Sequence, residues 1–218
     1  MFPDAIETDR LRFERLSRDA VDPLELYEYT SRRSETIDVE VAYVTWDPHE
    51  TPKETLEMLE RAENKWDGRE GATYAIFQRA GEDGADEFVG TTSLFFEWDK
   101  RLAYTGIWLR KPFWGRGYAG ERAAALFSLA FDRLDLEVVV PTHLDGNEKS
   151  KRAIEKYVDR FGGRYEGRLR NEIIVDGEPR GLHRYSVSRE EWVENRPNDL
   201  EITFIDGDAV GTTDPESQ

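Results

Sequence analysis

Cysteine is missing altogether from this chain of 218 residues. That excludes a disulfide framework, thiolate metal sites and a cysteine nucleophile. Lysine is scarce, at positions 53, 65, 100, 111, 149, 151 and 156, so most of the 30 basic residues are arginine. No apolar run approaches the roughly 20 residues that span a bilayer. The opening MFPDAIETDR has none of the marks of a signal peptide, so no membrane partner is expected and the chain reads as soluble and cytoplasmic. His49, His143 and His183 are isolated in sequence and show no metal-ligand spacing, so no metal is expected. The phosphate loop G-x-x-x-x-G-K-[ST] is absent, and dinucleotide or ATP binding is disfavoured.

What the chain has in abundance is acid. Its 46 acidic residues against 30 basic ones give a net charge of -16, which argues against nucleic acid as a partner. The acid excess and the preference for arginine over lysine resemble proteins of salt-accumulating microbes. Such a charge repels itself at low salt and is screened at high salt.

Periodicity outlines the elements. Residues 6–16 read as a first strand and 19–29 as a short helix with Pro23 near its start. Thr51, Pro52 and Glu54 open a second helix as cap, first residue and capping box. Strands follow at 72–78 and 87–97, separated by the turn AGEDGAD, and then at Leu102–Leu109. A long helix at 119–134 carries the apolar stripe Ala123, Leu126, Phe127, Ala130, Phe131 and Leu134. Residues 136–140 form a buried strand, 143–147 a loop, 150–161 a helix, and 165–175 with 183–188 a hairpin. The order is mixed α/β, α+β in character, with too few βαβ units for a doubly wound sheet. One domain is expected over 1–196, followed by an acidic tail over 197–218 in which only EITFI (201–205) suggests an edge strand.

The most informative stretch is LRKPFWGRGYAGER, residues 109–122. A strand enters a turn with Gly115 and Gly117, and a helix follows at once. Glycine admits backbone conformations that aim successive N–H groups at one point, and the helix start adds unpaired N–H groups and a positive dipole end. That suits a diphosphate; two glycines that merely tighten a turn would look the same. Arg110, Lys111, Arg116 and Arg122 flank the turn.

Gly117-Tyr118-Ala119 matches the second half of the R/Q-x-x-G-x-G/A signature of the GNAT N-acetyltransferases, with Trp114 in place of the leading Arg or Gln. KPFWGRGYAGE resembles the branch that contains the ribosomal-protein N-terminal acetyltransferases. Thr8-Asp9-Arg10-Leu11, Val44-Thr45-Trp46-Asp47-Pro48, Phe88-Val89-Gly90 and Asn147-Glu148-Lys149-Ser150 resemble further segments of that branch in order, over about residues 6–193. The resemblance implies a GNAT acyl-CoA N-acyltransferase fold: a mostly antiparallel sheet flanked by helices, in which the parallel strands Leu102–Leu109 and 136–140 splay apart.

The resemblance also implies a reaction, transfer of an acetyl group from acetyl-CoA, a cosubstrate, to a primary amine by direct attack in a ternary complex. The acceptor would be a ribosomal or other protein N-terminus or a small amine, and the enzyme a monomer or homodimer. Cofactor contacts would come from Trp108, Leu109, Arg110, Trp114, Gly115, Arg116, Gly117, Tyr118, Ala119, Gly120, Asn147 and Ser150. Ser150 would lie near the sulfur; a loop Asn followed by a helix-start Ser is the plain alternative. The Tyr that many members use as general acid falls at Ile154 here, and the branch's common Glu falls at Tyr104. Tyr104 and Tyr157 are therefore the remaining acid or base candidates, with Tyr157 also readable as packing. Trp46 would wall the acceptor site or simply fill the core, and His143 is the histidine best placed to meet an acceptor. Because of the departures at 104 and 154, a non-catalytic acyl-CoA-binding or interaction module is the competing reading.

Overall fold

In a computed structural model, which describes residues 1–80, 85–175 and 177–207, the strands assemble into one twisted sheet. β1 (Ala5–Glu7) and β2 (Leu11–Arg15) form a hairpin, so the single strand expected over 6–16 is broken. The break lies at Thr8, whose Oγ1 and backbone N–H both reach the Leu11 carbonyl, at 3.2 and 2.9 Å, and close a tight turn. β3 (Gly71–Gln78), β4 (Phe88–Glu97) and β5 (Leu102–Leu109) continue the antiparallel meander. β5 then pairs in parallel with β6 (Val138–Val140), which lies beside β9 (Glu178–Ser188). β9 also carries β7 (Thr142–Leu144) and β8 (Arg164–Val175). The segment expected as a loop over 143–147 thus begins as strand, because the register Thr142↔Arg184 to Leu144↔Leu182 satisfies its backbone. β10 (Thr203–Ile205) adds an antiparallel edge on β1, within the EITFI segment.

Helices cover both faces. α1 (Pro23–Thr30) starts with Pro23 in the first turn and the Asp22 carboxylate accepting from the Leu24 and Glu25 N–H groups. α2 (Ile37–Glu40) is a single turn that periodicity misses. α3 (Pro52–Asp67) begins as expected at Thr51, but its capping box is altered. The Thr51 side chain caps no backbone group, and Glu54 accepts from the Glu50 N–H at 2.8 Å, one residue before the cap. Against the same face as α1 and α3 lie Ala75, Phe88 and Trp108.

The other face carries Ile76, Ala103 and Val139 beneath α4 (Tyr118–Ser128), α5 (Glu148–Arg160) and α6 (Arg189–Asn195). The helix expected over 119–134 ends its α geometry at Ser128 and widens into a π turn over Leu129–Arg133. There Asp132 accepts from Ser128 Oγ at 2.9 Å and from Trp192 Nε1 of α6 at 3.2 Å. No helix among the described residues is long and apolar enough to cross a membrane.

Candidate active site

The sheet opens at β5. Its parallel pairing runs only through Leu102↔Val138, Ala103↔Val139 and Tyr104↔Val140. Pro141 then carries the chain away to β7, which joins β9 instead. From Thr105 onward that edge of β5 faces a wedge between α4 and α5 rather than another strand. The other edge stays closed because β4 passes very near: a Cβ on Gly90 (φ +152°) would collide with the Trp108 carbonyl oxygen.

At the end of β5 a short 3₁₀ turn (Lys111–Phe113) leads to Gly115 and Gly117, with φ of +79° and +84°. Both are left-handed conformations that side chains resist. Gly117 is the N-cap of α4, which has no side-chain cap, and side chains added at Gly115 or Gly120 would meet only open space. The backbone of this turn and the positive end of α4 therefore face outward together. A diphosphate would fit there, held by backbone N–H groups of 115–119, because no side chain fills the space beside Gly115 and Gly120.

A clamp holds the turn in place. Buried Glu121, in the first turn of α4, accepts from Thr8 Oγ1 at 2.7 Å, Arg10 N–H at 2.9 Å and Arg10 Nε at 2.8 Å. Arg10 Nη1 then donates to the Arg116 carbonyl at 3.0 Å, and its guanidinium lies 4.9 Å from the centre of the Tyr118 ring. The Thr8–Leu11 segment is thus the buttress of the glycine turn. Sequence reasoning noted the segment without finding this partner, because the contact spans more than a hundred residues.

The scarce cations divide unexpectedly. Arg110 turns away from the glycine turn, stacking 3.9 Å from the Tyr29 ring centre and pairing with the Phe88 carbonyl. Arg122 is buried inside the molecule. Of the four flanking basic residues, only Lys111 and Arg116 remain exposed, but Lys149 arrives from α5 and sits 4.1 Å over the Trp114 ring. Trp114 itself is fixed by Nε1 donating to the Leu109 carbonyl at 2.8 Å. A cation from α5 thereby joins those of the glycine turn.

The starts of α4 and α5 converge on this wedge. Asn147 is the N-cap of α5, its Oδ1 accepting from Ser150 N–H at 3.1 Å. That is the plain capping role, and it leaves Asn147 Nδ2 and Ser150 Oγ without protein partners among the described residues. Trp108 and Tyr118 point their side chains inward: Trp108 joins the α1–α3 core, and the Tyr118 hydroxyl accepts from Gln78 Nε2 at 2.8 Å. Their side chains are therefore closed to a ligand, and the Trp108 carbonyl faces β4. Gly115, Gly117 and Gly120 also satisfy the spacing G-x-G-x-x-G. A dinucleotide turn follows its strand immediately, however, whereas here the 3₁₀ turn intervenes.

Around the wedge, the candidate side chains occupy distinct places. Tyr104 stands at the last β5–β6 pair, its hydroxyl 3.3 Å from Arg184 Nη1. Tyr157 of α5 is buried, its hydroxyl held between Arg122 and Thr105, and burial raises its pKa. Trp46 is half-buried, edge-on to Trp108 with ring centres 5.6 Å apart. It borders the core and the α2–α3 loop at once. On that side Glu40 is buried and accepts from Lys111 N–H at 2.7 Å, tying α2 to the end of β5.

His143 and His183, far apart in sequence, stack with ring centres 4.6 Å apart. His143 is buried, which lowers its pKa, and its Nε2 lies 3.3 Å from the Tyr185 hydroxyl. Tyr185 is pushed up to about 12, first by desolvation and then by Glu155. His183 Nε2 lies 3.1 Å from Asp145, which the Arg168 guanidinium and then His183 hold down to about 2. Nearby, Ala42, Tyr43, Leu144, Asp145, Val175 and Arg180 line a cavity of about 270 Å³ between the α2–α3 loop and the β8–β9 hairpin.

A parallel pair that parts beside a glycine-headed helix defines the class of fold. Residues 10–157 match the family model described as an acetyltransferase (GNAT) domain, and the chain belongs to that family. A Bacillus subtilis (strain 168) protein, YdaF, named as a candidate ribosomal N-acetyltransferase, is 35% identical over 92 residues. That match covers 42% of this chain and 48% of YdaF, about half of each. A GCN5-related N-acetyltransferase from Brucella melitensis superposes with a TM-score of 0.74 at 22% identity, over 90% of this chain and 86% of that one. A spermidine N-acetyltransferase from Vibrio cholerae, solved with CoA and spermine, gives 0.66 at 17% identity, over 84% and 98%.

Proposed function

We propose that this chain transfers the acetyl group of acetyl-CoA to a primary amine. The observation that carries the reading is the unfilled glycine turn at the head of α4, set beside the wedge where β5 and β6 part. Backbone N–H groups of residues 115–119, with Lys111, Arg116 and Lys149 nearby, bind the diphosphate. Asn147 Nδ2 and the free edge of β5 from Thr105 to Leu109 hold the pantetheine arm and polarise the carbonyl. The amine nitrogen attacks directly: its bond to the acyl carbon forms, the carbon–sulfur bond breaks with its electron pair going to sulfur, and the nitrogen loses a proton. Ser150, whose hydroxyl is unengaged, passes its proton to sulfur and is reprotonated by the proton the nitrogen sheds. This chemistry calls for positioning and charge stabilisation more than for a nucleophile, which suits a chain without cysteine.

The acceptor is a protein N-terminus, by analogy with the name of YdaF, and it reaches the thioester past Trp46; buried His143, engaged at both ring nitrogens, lies behind that path. The enzyme works in the cytoplasm as a monomer or homodimer. Acetyl-CoA at about a hundred times its Kd should add roughly 2.7 kcal/mol of stability, which for a domain of this size raises Tm by about 5–10 °C. ATP and NADH should raise it less. Thiol release should then separate acceptors: ribosomal proteins with free N-termini should outpace spermidine and amino acids. A Tm unmoved by acetyl-CoA overturns the reading; binding without thiol release across both acceptor panels makes the chain a binding module.

A further inference from the structure

Arg122 is out of place for a cation. It is 2% exposed, and neither Nε nor Nη1 has a hydrogen-bond partner. Among the described residues no carboxylate pairs with it; its neighbour is Tyr157, whose ring centre is 6.0 Å from the guanidinium. Arginine does not discharge in proteins, so a buried guanidinium without a counter-ion is strongly unfavourable. Its surroundings show what would offset that cost. α4 supplies Arg122 five residues after Gly117, α5 supplies Tyr157, and β5 supplies Thr105, the first residue past the last β5–β6 pair. The charge therefore sits at the floor of the wedge.

We infer that Arg122 is the resident counter-charge for the sulfur of coenzyme A, holding the negative charge that sulfur gains when the carbon–sulfur bond breaks. The inference rests on the reading of the wedge as the pantetheine site. The guanidinium acts partly through Tyr157, orienting its hydroxyl toward the same gap, and Ser150 remains the proton donor. The unpaired cation in the free protein is matched when the anion forms. This is stabilisation aimed at developing charge rather than at the bound thioester.

The test needs no acceptor. A site that favours thiolate lowers the pKa of the bound thiol, so CoA affinity should climb with pH where a free thiol of pKa about 8.5 is still protonated. In the wild type, CoA affinity should rise roughly five- to ten-fold from pH 7 to 9 relative to acetyl-CoA, which has no thiol. Arg122→Met should bring the two ligands into parallel, and Arg122→Lys should restore part of the divergence. Because Met removes an uncompensated buried charge, the ligand-free variant should also melt at or above the wild-type temperature. Parallel pH profiles in the wild type, or a full CoA divergence retained in Arg122→Met, overturn the inference. Where neither ligand binds the wild type at all, the acetyl-CoA reading falls instead.

Discussion

Glu121 shows how one carboxylate sets a binding site. It gathers Thr8 and Arg10 onto the first turn of α4, and Arg10 passes the restraint to the Arg116 carbonyl. Glu121→Ala removes the acceptor from the buried Thr8 hydroxyl and from the partly exposed Arg10 and should cost about 1–3 kcal/mol. Arg10→Ala, at a residue partly open to water, should cost less stability yet weaken acetyl-CoA binding; thermal melts with and without ligand separate the two effects. At Gly117 a valine would have to adopt φ +84° and would cover the turn, so Gly117→Val should erase the acetyl-CoA-induced rise in Tm. Among the titrating groups, His49 and His143 both have pKa values lowered by burial. The unfolded chain takes up their protons first, so their contribution is complete above the unfolded pKa of about 6.5 and is lost as pH falls below it. Denaturant midpoints should drop between pH 7 and 5, and His143→Gln should flatten that slope.

At the scale of elements, two connections matter most. α6 is a short helix that holds buried Trp192 against the π turn following α4, and Ser188 and Glu191 form a complete capping box at its start. Ser188→Ala should therefore cost about 1 kcal/mol, which calorimetry would read as a fall of roughly 2–4 °C in Tm. The S-x-x-E signal was present at Ser188, but the helix it opens is only Arg189–Asn195, too short for periodicity to register. The second connection is the break in the first strand. Leu11 and Phe13 alternate, but Ile6 lies five residues before Leu11 and is buried with them, which one continuous strand would forbid; the Thr8 turn breaks the run in two. That turn bonds to the first turn of α4 through Glu121.

Across the whole molecule, the net charge of -16 sets the response to salt. Most ion pairs lie on the surface, as with Arg32–Asp38 and Arg160–Asp199, and each contributes little. Repulsion among the surplus acids extends further and is screened as the Debye length shrinks from about 30 Å at 0.01 M to about 3 Å at 1 M. Melting temperature should therefore rise with potassium chloride over that range. A flat or falling profile would show that the local pairs outweigh the net repulsion.

The sequence by itself determined the meander from β3 to β5 and the glycine turn with its helix. Each is written in short-range terms: two-residue alternation, and glycine where φ must be positive. Only the tertiary structure decided which of the flanking cations serve the turn. Arg110 and Arg122 looked equivalent to Lys111 and Arg116 along the chain, yet the first folds onto Tyr29 and the second is buried beneath the wedge. Lys149 and the Thr8–Glu121 clamp reach the site from distant segments, and His143 meets His183 only across β7 and β9. Such contacts depend on how helices lie across a splayed sheet, and no local pattern encodes that placement.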